Sequence, residues 1–149
     1  MKVSITENTG YDETSVEIHC RECDANVRKL QRHICSYDER FACSSEGGTV
    51  YVNAKDIFYF ETIDNKTFLY TKDKVYEIQK RLYELEDTLS DKDFFRCSKA
   101  IIVNVTKIER LKPELTRNIM AVLSNGEVVV ISRRYVKAFK KLIYLEELG

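Results

Sequence analysis

Ile57-Phe58-Tyr59-Phe60-Glu61-Thr62, Thr67-Phe68-Leu69-Tyr70-Thr71 and Val75-Tyr76-Glu77-Ile78 are three short runs rich in aromatic and β-branched residues. Asp64-Asn65-Lys66 and Lys72-Asp73-Lys74 punctuate them. Such runs, bounded by turn residues, read as consecutive β-strands. The same texture extends in both directions. Upstream, Thr49-Val50-Tyr51-Val52 is a short strand candidate. Downstream, Phe94-Phe95-Arg96 leads to the apolar run Ala100-Ile101-Ile102-Val103, and further candidates follow at 108–111, 119–123 and 128–131. Asn125-Gly126 between the last two is a strong hairpin-turn signal. Pro113 falls in a connection, where its missing N–H costs nothing.

Helices are the minority. Ile78, Leu82, Leu85 and Leu89 recur at four- and three-residue steps, one face of a helix, with Glu77 and Arg81 as an i,i+4 pair outside. Ser132 is placed to cap a closing helix whose apolar face includes Val136, Phe139 and Ile143. Before residue 48 the texture differs. Val16-Glu17-Ile18-His19-Cys20 alternates like a strand. Asp24 caps a helix near 24–37 with Val27, Leu30, Ile34 and Tyr37 on one face, and Phe41-Ala42-Cys43 is a second strand. Ser44-Ser45-Glu46-Gly47-Gly48 is turn chemistry. The expected architecture is mainly β, with two or three short helices. A small β-α-β appendage over residues 1–47 precedes a main domain over 48–149.

Composition sets the class. The chain has 149 residues, 44% hydrophobic and 32% charged, with one Pro and five Gly. That is ordinary for a globular protein and excludes collagen-like and Pro/Gly-rich disordered chains. No apolar run approaches ~20 residues, and the first residues lack a hydrophobic signal core. A cytoplasmic protein with five reduced Cys is the expectation. The net charge of zero conceals a gradient. Residues 1–54 carry 6 Lys+Arg against 9 Asp+Glu, whereas 92–141 carry 12 against 4, a net of +8. A basic block in a neutral chain suggests a local anionic partner. A solvated charged face gives the same count.

Enzyme signatures are missing: no Gly-rich phosphate loop, HExxH or GxSxG is present, and no paired carboxylates call for acid–base work. No catalytic role and no cofactor are expected. Cys20-Arg21-Glu22-Cys23, with His33 and Cys35 downstream, raises zinc or thiol redox chemistry. A single CxxC is a weak signal, and His33-Ile34-Cys35 has the wrong spacing for a second ligand pair. Cys20 is expected to point inward with Ile18, and all five Cys to pack. Cys97, beside Arg96 and Lys99, is read as a half-buried packing residue. No metal site is expected.

The positive signal is a set of basic and polar residues at expected loops: Asn65-Lys66-Thr67, Ser98-Lys99 and Arg133-Arg134. Loops on a rigid β scaffold are where binding residues concentrate. Arg and Lys match guanine edges and Asn matches adenine, and a helix start at 132–135 suits a phosphate. Three ordinary solvated loops are the plainer alternative.

Three of these stretches together resemble the LytTR DNA-binding family. They are Lys55-Asp56-Ile57-Phe58-Tyr59-Phe60-Glu61, Phe94-Phe95-Arg96-Cys97-Ser98-Lys99-Ala100-Ile101-Ile102-Val103-Asn104 and Val130-Ile131-Ser132-Arg133-Arg134-Tyr135-Val136, in family order over about 48–144. The resemblance implies an elongated multi-sheet β fold and a bacterial transcription regulator that reads double-stranded DNA through inter-strand loops in the major groove. It implies base contacts at Thr67, Lys99 and Arg134. Other members place longer side chains at the position of Thr67, and Asn65 and Lys66 are the alternatives there. Arg133, Ser98, Lys137 and Arg96 become phosphate or supporting positions, and Asn104 a structural one. About 45 residues precede the motif, too few for the phosphorylation receiver domain that most members carry. The chain is therefore similar to the stand-alone subgroup, sometimes found beside a small membrane protein. Promoter repeats, a homodimer on DNA and a membrane-protein regulator are the partners the resemblance implies. The appendage then completes the core, dimerises or binds the regulator. A protein–protein interaction module with no nucleic-acid role is the competing reading.

Overall fold

In the computed structural model, which describes residues 1–148 and side chains through residue 143, ten strands form two antiparallel sheets. The strands are β1 (Arg40–Ser45), β2 (Gly48–Asn53), β3 (Tyr59–Ile63), β4 (Lys66–Tyr70), β5 (Val75–Ile78), β6 (Phe94–Arg96), β7 (Ile101–Asn104), β8 (Ile108–Pro113), β9 (Ile119–Leu123) and β10 (Val128–Ile131). The larger sheet runs β2-β1-β5-β4-β3-β7-β6 and the smaller β10-β9-β8. Helices α1 (Ala25–Ser36), α2 (Leu82–Thr88) and α3 (Arg133–Leu148) complete the described elements, with short 3-10 turns at Ala54–Asp56 and Val105–Lys107.

Both faces of the large sheet are covered at β3 and β7, which explains their nearly continuous apolar sequences. Phe60 and Ile102 face one core, with Leu69, Ile57 and the α2 residues Leu82 and Leu85. Tyr59 and Val103 face a second core, with Phe58 just before β3, Ile119, Ala121, Leu123 and Ile131 of the small sheet and Phe139 of α3. Alternate residues of the same strands thus tie the two sheets together. Asn104 lies buried between them, where its Nδ2 donates to the Ile57 carbonyl at 2.8 Å and its Oδ1 accepts from the Thr106 N–H and hydroxyl. Tyr59 and Tyr70 stack at 4.2 Å, and the Tyr59 hydroxyl donates to Glu127 of the β9–β10 hairpin at 2.6 Å.

Several expectations need correction. Residues 16–20 form no strand, and no regular element precedes α1. An alternating run without a partner edge has nothing to accept its hydrogen bonds. Cys20 and Cys23 are exposed and Cys35 half-buried, so only Cys43 and Cys97 are buried packing residues. Helix α1 forms as expected, with Asp24 accepting from the Val27 N–H at 3.0 Å. Strand β1 joins the main sheet, paired over six residues with β2, so the expected boundary between 47 and 48 runs through a hairpin turn. Ile78 and Glu77 belong to β5, not to the helix, so the Glu77–Arg81 helical pair does not form. A four-residue step is also an even number, so Ile78 satisfies a strand face equally well. Pro113 is the last residue of β8, an edge strand, where a missing N–H is tolerated.

Candidate nucleic-acid interface

The β6–β7 loop is built around Arg96. Its Nε donates to the Ser98 carbonyl at 2.7 Å and its Nη2 to the Lys99 carbonyl at 2.6 Å. Its Nη1 reaches Glu86 at the end of α2 at 2.9 Å. One planar fork therefore grips two successive loop carbonyls, which Lys could not do. Ser98 adds its hydroxyl as acceptor for the Ala100 N–H at 3.2 Å. Beneath the loop, the Cys97 N–H donates to the Ile101 carbonyl at 3.0 Å. Arg96 and Ser98 thus shape the loop from within, and Lys99 is left exposed at its tip.

Two backbone hydrogen bonds bring the other loops alongside. The Thr62 N–H donates to the Ala100 carbonyl at 2.9 Å, which sets the β3–β4 turn beside the β6–β7 loop. The Ser132 N–H donates to the Cys97 carbonyl at 2.8 Å, which docks the start of α3 on the same loop. The Arg133 N–H in turn donates to Asn118 Oδ1 at 2.9 Å, adding the β8–β9 turn. The β3–β4 turn, the β6–β7 loop and the start of α3, far apart in sequence, thus converge through backbone hydrogen bonds, with the β8–β9 turn joined through the Asn118 side chain. Lys99 on the β6–β7 loop, Lys66 at the start of β4, and Arg133, Arg134 and Lys137 in the first turns of α3 are all exposed there.

Thr67 does not belong to this set. It is only 4% exposed, paired with Thr62 across β3 and with Ile78 across β5. Its side chain is packed inside the sheet, not presented at the surface. The turn is shorter than its sequence suggests. Asp64 and Asn65 alone occupy it, both with positive φ (50° and 65°), as a two-residue primed hairpin turn requires. Lys66 then begins β4 and Thr67 is already one residue inside the sheet. Asn65 and Lys66 are exposed and stand where Thr67 was expected.

Arg117 and Lys140 were not singled out from sequence. They line a cleft of about 780 Å³ between the β8–β9 turn and α3, together with Arg133, Arg134 and Lys137. Arg117 has φ 70°, a left-handed conformation within the tight β8–β9 turn. A lone Arg in a polar turn carries no signal until the fold places it beside a helix that is basic on one side.

Cys97 lies at the centre of the arrangement and is fully buried. Burial pushes its thiol up to about 12, against a smaller opposing pull from Arg96. Burial and the hydrogen bond to Glu61 likewise push Tyr70 up to about 12, and Tyr59 is raised in the same way. These groups hold their protons in the folded chain after the unfolded chain has lost them. Stability is therefore complete below about pH 9 and falls as pH rises towards 12. Urea unfolding midpoints should decline steeply between those limits, and a flat profile would count against this burial. In the native chain at neutral pH, Cys97 should resist alkylation while the exposed Cys20 and Cys23 react.

The β scaffold brings exposed basic groups from separate segments together, an arrangement suited to an anionic partner. The family model for the LytTr DNA-binding domain matches residues 47–144, and the chain belongs to that family. It is 30% identical over 125 residues to the sensory transduction protein LytT of Bacillus subtilis, covering 84% of this chain and 52% of that one. The chain thus spans about half of LytT. It is 28% identical over 143 residues to an HTH-type transcriptional regulator of Staphylococcus aureus, covering 95% of this chain and 97% of the relative. Among solved structures, the LytTr DNA-binding domain of a Bacillus cereus response regulator superposes with a TM-score of 0.67 at 27% identity. That match covers 71% of this chain and 97% of the solved domain. Like that domain, this chain is mainly β. No helix among the described residues is long and apolar enough to cross a membrane.

Proposed function

We propose that this chain is a transcription regulator that binds double-stranded DNA sequence-specifically, with its three converging loops in the major groove. The observation that carries this reading is the convergence itself. Two backbone hydrogen bonds, Thr62 to Ala100 and Ser132 to Cys97, gather exposed cations from three separate loops. Lys99 and Arg134 read base edges, and Asn65 and Lys66 replace Thr67 at the third position. Arg133 and Lys137 meet phosphates, and Arg96 and Ser98 support the loop. Paired promoter repeats are the target, bound by two copies in the cytoplasm, and a membrane protein is the class of regulator the family pattern suggests.

A gel shift on the DNA upstream of its own operon tests the reading. Lys99→Ala and Arg134→Ala should each weaken specific binding by about 1–3 kcal/mol and relax base preference locally. Both side chains are exposed, so circular dichroism and melting should be unchanged. Wild-type affinity in either variant would remove that residue from the reading. A protein-interaction module would give no shift at all.

A further inference from the structure

We propose that the cleft between the β8–β9 turn and α3 straddles one DNA strand flanking the repeat and sets the tip of the turn in the adjacent minor groove. This rests on the DNA-binding reading and adds to it a fourth contact, one that reads charge and shape and not base edges.

The cleft has two basic walls. Arg133, Val136, Lys137 and Lys140 recur at three- and four-residue steps, which is one face of α3. From Arg133 to Lys140 that face covers about 10 Å of helix at ~1.5 Å per residue. One DNA strand carries a phosphate about every 3.4 Å along the axis, so the ladder of cations matches about three of them. Arg117 supplies the opposite wall, and Leu111 and Pro113 give the cleft an apolar floor suited to sugar edges. Glu114 is the one acid among the lining residues, and its carboxylate accepts from the Thr116 hydroxyl at 3.2 Å. Arg117, Arg133, Lys137 and Lys140 are exposed, and no ion pair among the described residues involves them. Helix α1 packs on α3, yet none of its residues lines the cleft, so this side stays open. Cations on both walls over such a length suit an extended polyanion.

The turn is built to project. The Glu114 N–H donates to the Asn118 carbonyl at 3.0 Å and the Arg117 N–H to the Glu114 carbonyl at 3.1 Å, which closes a three-residue loop of Leu115, Thr116 and Arg117. Arg117 occupies the left-handed place that ends such loops and favours Gly. An arginine there presents a charge where glycine would present none. Leu115 is fully exposed. The bond from the Arg133 N–H to Asn118 Oδ1 at 2.9 Å fixes the whole turn against the start of α3. The tip thereby lies beside the strand whose phosphates Arg133 and Lys137 meet. Across that strand from the major groove is minor groove, where apolar residues wedge and the negative potential attracts Arg.

Anisotropy titrations on two duplexes test this. One ends at the repeat, and the other carries a further helical turn, about 10 base pairs, on each side. On the longer duplex, Arg117→Gln with Lys140→Gln should bind at least about tenfold more weakly than the wild type, with a salt slope shallower by about 1.8, the share of two phosphates. On the shorter duplex the two chains should agree, with the same base preference. Both side chains are exposed, so melting should not move. Leu115→Asp should weaken the longer duplex alone, because a carboxylate in the minor groove is repelled by both strands. Hydroxyl-radical footprinting should find flank sugars protected by the wild type and bare with the double variant. A double variant that binds the longer duplex like the wild type, one weakened equally on both duplexes, or a Leu115→Asp chain without effect would each overturn the proposal. A wild-type chain that binds the shorter duplex and gains nothing from the flank would sink this proposal alone, whereas one that binds neither would sink the DNA reading itself.

Discussion

Raising salt from 50 to 200 mM should weaken operator binding by about 500-fold. Lys66, Lys99, Arg133, Arg134 and Lys137 are the exposed cations on the converging loops. Arg133 and Lys137 at phosphates, and Lys66, Lys99 and Arg134 inside the groove between the two strands, each displace condensed counterions, so log K falls against log salt with a slope of about −4.5. A fourfold rise in salt then costs about 2.7 decades. Acids are outnumbered there: residues 92–141 hold only Asp93, Glu109, Glu114 and Glu127 against twelve Lys and Arg, Asp64 shares the β3–β4 turn, and Glu86 is already paired with Arg96. Asp93 faces α1 and Glu127 accepts from Tyr59. A titration by fluorescence anisotropy over a salt series measures the slope directly. A slope near zero would end the DNA reading, and one near −2 would leave only a single loop in contact.

The fold was largely legible because its core strands are covered on both faces. Runs such as Ile57–Phe60 and Ile101–Val103 leave little choice of element, and Asp64-Asn65 and Asn125-Gly126 mark turns by their tolerance of positive φ. Failures came where one pattern satisfied two periods or had no partner. Ile78 sits at a spacing common to helix and strand, and neighbouring strands β4 and β1 decided it. Residues 16–20 alternate as a strand must, but pairing is a property of the assembly and not of the run.

The site was legible by position more than by chemistry. Lys99 is exposed on the β6–β7 loop and Arg134 in the first turn of α3. Thr67 lies one residue further into the sheet than the turn, and one residue of register in a strand exchanges surface for core. Arg117 and Lys140 escaped notice because their significance depends on a β8–β9 turn folding back onto α3. Arg96 was placed in a group of phosphate or supporting positions, and only its hydrogen bonds assign its work. A guanidinium whose three nitrogens already have protein partners is a positioning group.

That assignment has a large consequence. Arg96→Ala should reduce specific DNA affinity about a hundredfold through loss of loop order, since all three of its nitrogens are already held by protein partners. Hydrogen bonds to charged groups contribute about 1.5–3 kcal/mol each, and two of them hold the carbonyls of Ser98 and Lys99. Without them the loop samples other conformations, and Lys99 must be ordered at the expense of binding. Arg96→Lys should recover little, since one ammonium cannot span both carbonyls with the geometry of the fork. Glu86→Gln should matter far less, because Glu86 is half exposed and touches the third nitrogen, not the loop. The salt slope discriminates between roles. A phosphate contact removed at residue 96 would lower its magnitude by about 0.9, whereas a lost positioning group leaves the same phosphates contacted and the slope unchanged. Hydrogen exchange at residues 97–100 should quicken in Arg96→Ala and stay as in the wild type in Lys99→Ala. An Arg96→Ala chain with wild-type affinity, or with weakened affinity and a shallower slope, would return Arg96 to the surface of the duplex.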